Sequence, residues 1–161
     1  KVLTSQTMDG KEALRLFQRC LPRFEAAGLG SADVKDAKAK SIASLWAGMG
    51  TVYDLTGTTT AGARLALVAK KVQLPEKCES IGDQRKKDSY DVEAAFYEKG
   101  HAERLLAAGC IVPFPLYVEG GNGARGVTIC MTKLDGKSGA KGQNAAFVAW
   151  LARLHATYWG H

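Results

Sequence analysis

Apolar residues recur at helical spacing near the beginning of the chain. Asp9 and Glu12 have the spacing of a capping box, in which side chains satisfy the free amides of a first helical turn. Apolar residues then follow at steps of three and four, at Leu14, Phe17, Leu21 and Phe24. The pattern predicts a helix over residues 9–24, which Gly28 and Gly30 end.

The next part of the chain has the pattern of three strands. Residues 41–55 are apolar and β-prone, and Gly48 and Gly50 interrupt them, which predicts two strands joined by a glycine turn. Residues 65–72 form a continuous apolar run that ends in two lysines and precedes Pro75. Such a run is typical of a buried central strand.

The second half of the chain begins with a polar segment, residues 75–87, that we predict to be a loop. A helix then covers about residues 88–108, and Gly109 ends it. We expect its buried side to carry Val92, Phe96, Leu105 and Leu106.

Two more strands and a last helix complete the chain. The pattern predicts strands over residues 116–118 and 127–132, joined by a hairpin turn. The turn contains Gly120, Gly121, Asn122 and Gly123. The helix over residues 143–158 carries one apolar stripe, formed by Phe147, Leu151, Leu154 and Tyr158.

The order of elements is therefore helix, three strands, helix, two strands, helix. Such an order predicts an α+β fold in which a helix packs on a five-stranded antiparallel sheet. One helix precedes this unit and another follows it.

Composition and charge narrow the classes of function. The 161 residues are 46% hydrophobic and 24% charged, which is typical of one soluble globular domain. The net charge of +6 is spread over small groups, which favours ordinary solvated surface over a nucleic-acid footprint. No apolar run reaches the roughly 20 residues that a membrane-spanning helix needs.

The four cysteines have no C-x-x-C spacing, which favours a reducing intracellular compartment, the cytoplasm or an organelle, over a disulfide framework. No zinc-ligand spacing occurs. The sequence starts at Lys1 instead of methionine. This start leaves two interpretations open, a removed targeting segment or a sequence that begins within the protein.

Two charged residues have an arrangement that phosphoryl transfer uses. Lys70 lies near the end of the third predicted strand, and Glu93 lies in the helix that follows. A lysine holds nucleotide phosphates well when a carboxylate fixes its position. Alternation along the strand places Lys70 and Lys71 on opposite faces, so only one of them can point into a given cleft. The turn at Gly48 and Gly50 could bring backbone amides close to phosphates, although the spacing by itself favours a simple hairpin turn.

Four blocks of sequence carry a resemblance to a known family. They are SLWAGMG at residues 44–50, LVAKKV at 67–72, QRKKDSYDVEAAFY at 84–97 and LARLHATYW at 151–159. The first three resemble the first lobe of the choline kinase-like and ecdysteroid kinase-like branch of the aminoglycoside phosphotransferase superfamily. The fourth is similar to the helix that opens the second lobe of that family, and the four blocks occur in the family's order. The resemblance divides the chain into an amino-terminal helical segment (1–40), a kinase-like first lobe (41–135) and a connector with the first helix of a second lobe (136–161).

The resemblance implies an ATP site that works with Mg²⁺. Lys70 matches the nucleotide lysine and Glu93 its helix partner, with Gly48 and Gly50 at the phosphates. Residues 129–134 match the last strand and the hinge that receives adenine, where Met131, Thr132 and Leu134 would lie. The chain departs from the family at Thr132 and Lys133, where acidic residues are usual.

The chain lacks the family's catalytic and metal-binding aspartates, because those follow the last helix and the sequence stops at His161. We therefore expect no catalytic residue and no phosphate transfer within these 161 residues. One hypothesis is the nucleotide-binding lobe of an ATP-dependent kinase of a small hydroxylated or amino-containing molecule. The other is a non-catalytic structural or interaction subunit with a kinase-like fold inside a larger protein complex, which could be organellar. In either case a second lobe or another protein would cover the last helix, with Tyr158 and Trp159 as anchors.

Overall fold

A computed structural model describes residues 7–45, 48–74, 80–121, 123–136 and 144–159. The strands pair only antiparallel, in the order β1-β2-β3-β5-β4. The elements are α1 (Gly10–Cys20), β1 (Val34–Ser44), β2 (Gly50–Thr59), β3 (Arg64–Gln73), α2 (Ile81–Glu98), α3 (His101–Ala107), β4 (Pro115–Gly120), β5 (Gly126–Thr132) and α4 (Asn144–Tyr158). The predicted α+β fold with a five-stranded antiparallel sheet is confirmed.

Helix α1 starts where the capping pattern predicted. The Glu12 amide donates a hydrogen bond of 2.7 Å to Asp9 Oδ1, which satisfies one free donor of the first turn. The helix ends in a short 3₁₀ turn, Leu21–Arg23. Its buried side consists of Ala13, Leu16, Phe17 and Cys20. This side faces the sheet, so α1 forms one outer layer of the fold.

Strand β1 starts at Val34 and not at the predicted residue 41. The prediction missed its first half because Lys35, Asp36, Lys38 and Lys40 interrupt the apolar pattern there. Strand β1 is an edge strand, and charged side chains are common on edge strands because they discourage pairing with other chains.

Helix α2 starts at Ile81, inside the segment that we predicted to be a loop. Ser80 caps it, since the Asp83 amide donates to Ser80 Oγ at 3.1 Å. Ion pairs of Asp83 with Lys86 and of Lys87 with Asp91 then stabilise its polar turns. Apolar periodicity alone does not detect a helix whose first turns face solvent.

The buried side of α2 also differs from the prediction. Val92 is 69% exposed, whereas Tyr90 and Ala94 are buried. Gly100, with φ of 75°, separates α2 from the short α3 and so breaks the predicted single helix. The predicted stop at Gly109 is confirmed, with φ of 77°.

The two faces of the sheet carry separate apolar cores. On the α1 face the core includes Phe17, Leu55 and Leu67, all fully buried. On the α2 face the core is smaller and includes Ile129 and Ala94. The sheet is therefore a middle layer between α1 and α2, and residues that alternate along each strand serve different cores.

Candidate functional site

Lys70 occupies a central position in the sheet. Its strand, β3, lies between β2 and β5, where Lys70 pairs with Val52 on one side and Ile129 on the other. Alternation along β3 sends its side chain towards α2 and that of Lys71 towards α1. The predicted separation of the two lysines is confirmed.

The predicted contact between Lys70 and Glu93 is also confirmed. Lys70 Nζ donates a hydrogen bond to Glu93 Oε2 and forms an ion pair with it. The two side chains are only 17% and 30% exposed, so water screens the pair less than it screens a surface pair. Glu93 therefore fixes the position of the ammonium group on the α2 face.

Two tyrosines, Tyr90 and Tyr97, lie near this ion pair. Lys70 Nζ lies 5.0 Å from the centre of the Tyr90 ring, within the range of a cation–π contact. Burial raises the pKa of Tyr90 and of Tyr97, and the nearby Glu93 carboxylate raises both further. Both phenols thus stay protonated and neutral beside the pair near neutral pH.

The glycine turn between β1 and β2 has a structural explanation. A β-carbon on Gly50 would lie 2.2 Å from the Lys71 carbonyl oxygen, so β2 and β3 approach too closely there for a side chain. Gly48 has φ of 68° and donates to the Leu45 carbonyl at 3.1 Å. Residues 46 and 47 of the first sequence block lie outside the described residues. A role for the turn in phosphate binding stays a prediction.

The three predicted hinge residues lie in different environments. Met131 is buried on the same face as Lys70, and the Tyr97 hydroxyl lies 3.9 Å from its sulfur. Thr132 already forms two hydrogen bonds with Phe114. Its amide donates to the Phe114 carbonyl and its hydroxyl accepts from the Phe114 amide, each at 2.9 Å. Leu134 is 47% exposed. The structure thus brings Met131, but not Thr132, to the face of Lys70 and Glu93.

The sequence did not predict an ion pair between Lys133 and Asp54. Lys133 Nζ lies 2.7 Å from Asp54 Oδ2, which links the end of β5 to β2 across β3. Asp54 alternates with Val52 along β2, so it lies on the face of Lys70. Its other oxygen, Oδ1, is buried and has no hydrogen-bond partner among the described residues. The alternation of β2 could have placed Asp54 on this face, but its pairing depends on the strand order.

A scan against protein-family models found no match, and a search of curated proteins found no relative. In the described part of the chain, no group of three or more histidine, cysteine, aspartate or glutamate side chains could hold a metal ion. No helix within the described ranges is both long and apolar enough to cross a bilayer. The contacts of Lys70 and Glu93 on the α2 face are therefore the observations that bear on function.

Proposed function

We propose that this chain is the nucleotide-binding lobe of an ATP-dependent small-molecule phosphotransferase of the choline kinase-like and ecdysteroid kinase-like group. The observation that carries the proposal is the ion pair of Lys70 and Glu93 on the α2 face. Phosphoryl transfer depends on positioning and on electrostatic stabilisation, and a lysine fixed by a helix carboxylate supplies both to the phosphates.

An apolar surface beside Lys70 supports the binding of a base. Val52, Val68 and Met131 lie on three neighbouring strands, and Val68 pairs with both Asp54 and Met131 across the sheet. Alternation directs Val52 and Val68 to the same face as Lys70. A flat aromatic ring could pack on these side chains while its phosphates reach Lys70 Nζ.

The described residues fit ATP better than they fit Mg²⁺. Lys70 and the apolar surface suit a phosphate chain and a base, whereas no metal-ligand group occurs among the residues that the structure describes. The proposed role of these 161 residues is therefore to bind and orient the nucleotide. We expect purified material of this length to bind ATP and to transfer no phosphate, since a base and metal ligands are also required.

Titration of the ¹⁵N-labelled chain with ATP tests this proposal. We expect the largest amide shifts at Val52, Val68, Lys70 and Met131, with little change along α1. Inorganic phosphate at the same concentration serves as a control, because it should leave Val52 and Met131 unshifted. Absence of shifts at these residues would count against the proposal. Measurable ATP turnover by this chain would refute the separate expectation that these residues lack the groups needed for phosphate transfer.

A second candidate function rests on exposed apolar residues of α4 and on the residue that follows it. Trp159 is 83% exposed, and Phe147 and Val148 are each 61% exposed. Large exposed aromatic residues are common anchors of protein interfaces. These residues favour an interaction subunit whose last helix binds a second lobe or another protein. If ATP causes no shifts, while a Trp159→Ser substitution abolishes self-association or partner binding, this second function replaces the first.

A further inference from the structure

Six residues of α1 and the sheet face each other on the side of the sheet opposite Lys70, and five of them are charged. On the helix, Glu12, Arg15 and Arg19 follow at steps of three and four, so they share one side. On the sheet, Thr128 of β5 pairs in register with Lys71 of β3 and with Glu119 of β4. Residues directly opposite each other in antiparallel strands share a face, so this row runs across three strands.

The two ends of this arrangement are occupied by ion pairs. Lys71 Nζ donates to Glu12 Oε1 at one end. At the other end, Arg19 lies 3.0 Å from Glu119 Oε1 and also donates to the Tyr117 hydroxyl. Each carboxylate is thereby neutralised by a cation of the opposite element.

Between these two ion pairs, the guanidinium group of Arg15 faces no carboxylate among the described residues. Arg15 lies between Glu12 and Arg19 on the helix, and the strand residue between Lys71 and Glu119 is Thr128, which is neutral. Arg15 has no ion pair or hydrogen bond with any residue that the structure describes. Its charge is therefore the uncompensated one in this row.

A cavity lies between the two ion pairs, at Arg15. Its volume is about 230 Å³. The residues that line it are Glu12, Arg15, Arg19, Lys71, Glu119 and Thr128, together with Leu16. At about 30 Å³ for each water molecule, the cavity has room for roughly seven waters, which is ample for a phosphate or a small carboxylate. It lies on the α1 side of the sheet, whereas the proposed nucleotide contacts lie on the α2 side.

We propose that this cavity binds a compact oxyanion, a phosphate or a carboxylate, at the guanidinium group of Arg15. An arginine presents several N–H groups in a planar fork that matches the oxygens of either anion. The Thr128 hydroxyl supplies a donor from the sheet. The protons of Lys71 and Arg19 that their carboxylate partners leave unused supply two more.

Titration of the chain with sodium phosphate or sodium succinate, against sodium chloride at equal ionic strength, tests the proposal. The readouts are amide shifts at Arg15 and Thr128 and the rise in the unfolding temperature. Arg15→Met should weaken binding about tenfold or more, as expected for the loss of charge-assisted hydrogen bonds, and Thr128→Val should weaken it a few-fold. Arg85→Met changes an exposed arginine of α2 and is the matched control, for which we expect no change in affinity.

The variants separate this site from the nucleotide face. A response to phosphate alone, or to succinate alone, identifies the preferred anion and supports the proposal if Arg15→Met removes it. Equal weakening by Arg15→Met and Arg85→Met, or no response to either anion, overturns it. A response that Lys70→Met removes and Arg15→Met leaves intact also overturns it, and leaves the proposed nucleotide site standing.

Discussion

Lys70 and Lys71 are neighbours on β3, and each forms an ion pair with a carboxylate of a helix, but on opposite faces of the sheet. The two helices are held differently. The 11-residue α1 buries four side chains, including the whole of Phe17, whereas the 18-residue α2 buries only Tyr90 and Ala94. Packing therefore holds α1, and polar contacts contribute a larger share of the attachment of α2.

This difference indicates which face is available for a nucleotide, which is larger than the compact anion proposed for the cavity on the α1 face. On the α1 face, the ion pair of Lys71 and Glu12 lies beside a continuous apolar core. On the α2 face, the pair of Lys70 and Glu93 is partly buried and the apolar core beside it is smaller. The same pairing of lysine and glutamate thus lies, on the α1 face, beside a packed helix with one small cavity. On the α2 face it lies on an incompletely covered surface.

Truncation of one apolar side chain on each helix should give the largest contrast. We expect Phe17→Ala to lower the free energy of unfolding by about 3–5 kcal/mol, because it leaves a cavity in the α1 core. Val92→Ala on α2 should cost less than about 0.5 kcal/mol, because Val92 is 69% exposed. Urea unfolding monitored by circular dichroism measures both. Equal losses would contradict the view that α1 and α2 are attached differently.

Double-mutant cycles on the two ion pairs sharpen the same comparison. We expect a coupling energy of roughly 1–2 kcal/mol between Lys70→Met and Glu93→Gln, since this pair is the more buried one. The cycle of Lys71→Met with Glu12→Gln should give a smaller coupling, roughly 0.2–1 kcal/mol, because the side chains of this pair are somewhat more exposed, at 25% and 37%. The four free energies of unfolding in each cycle supply the coupling. A larger coupling on the α1 face would reverse the interpretation.

The smallest expected effect is a difference in alkaline stability. Burial, and then Glu93, raise the pKa of Tyr97 in the folded chain. The unfolded chain, with a tyrosine pKa of about 10, therefore releases this proton first, so stability falls as pH rises from about 10 through the folded pKa. Tyr97→Phe should reduce this fall and leave stability at about pH 8 almost unchanged. Urea midpoints at about pH 8 and about pH 10.5 test this, and equal falls in both proteins would contradict it.

Much of the fold could be predicted because it depends on local signals. Asp9 marks the start of α1, the apolar run of β3 marks a central strand, and Gly109 ends α3. Charged stretches were missed, since the lysines of β1 and the polar first turns of α2 interrupt apolar periodicity. An edge strand and a solvent-facing helical turn need little apolar surface, so their sequences resemble those of loops.

The candidate site could be predicted only in part. Lys70 and Glu93 follow from strand alternation and from the resemblance of the sequence blocks around them. The contacts of Lys133 with Asp54 and of Thr132 with Phe114 join distant parts of the chain. They depend on β5 lying beside β3 and on the irregular pairing of β4 with β5, which apolar patterns do not specify.

Nucleotide affinity of the two neighbouring lysine variants tests the central claim most directly. Isothermal titration calorimetry with ATP would compare the unchanged chain, Lys70→Met and Lys71→Met. Loss of a charge-assisted hydrogen bond costs about 1.5–3 kcal/mol, so Lys70→Met should weaken ATP binding roughly tenfold to a hundredfold. Lys71→Met should leave the affinity within about twofold, since its side chain lies on the other face. Equal effects of the two substitutions, or no loss with Lys70→Met, would contradict the assignment of the α2 face as the nucleotide site.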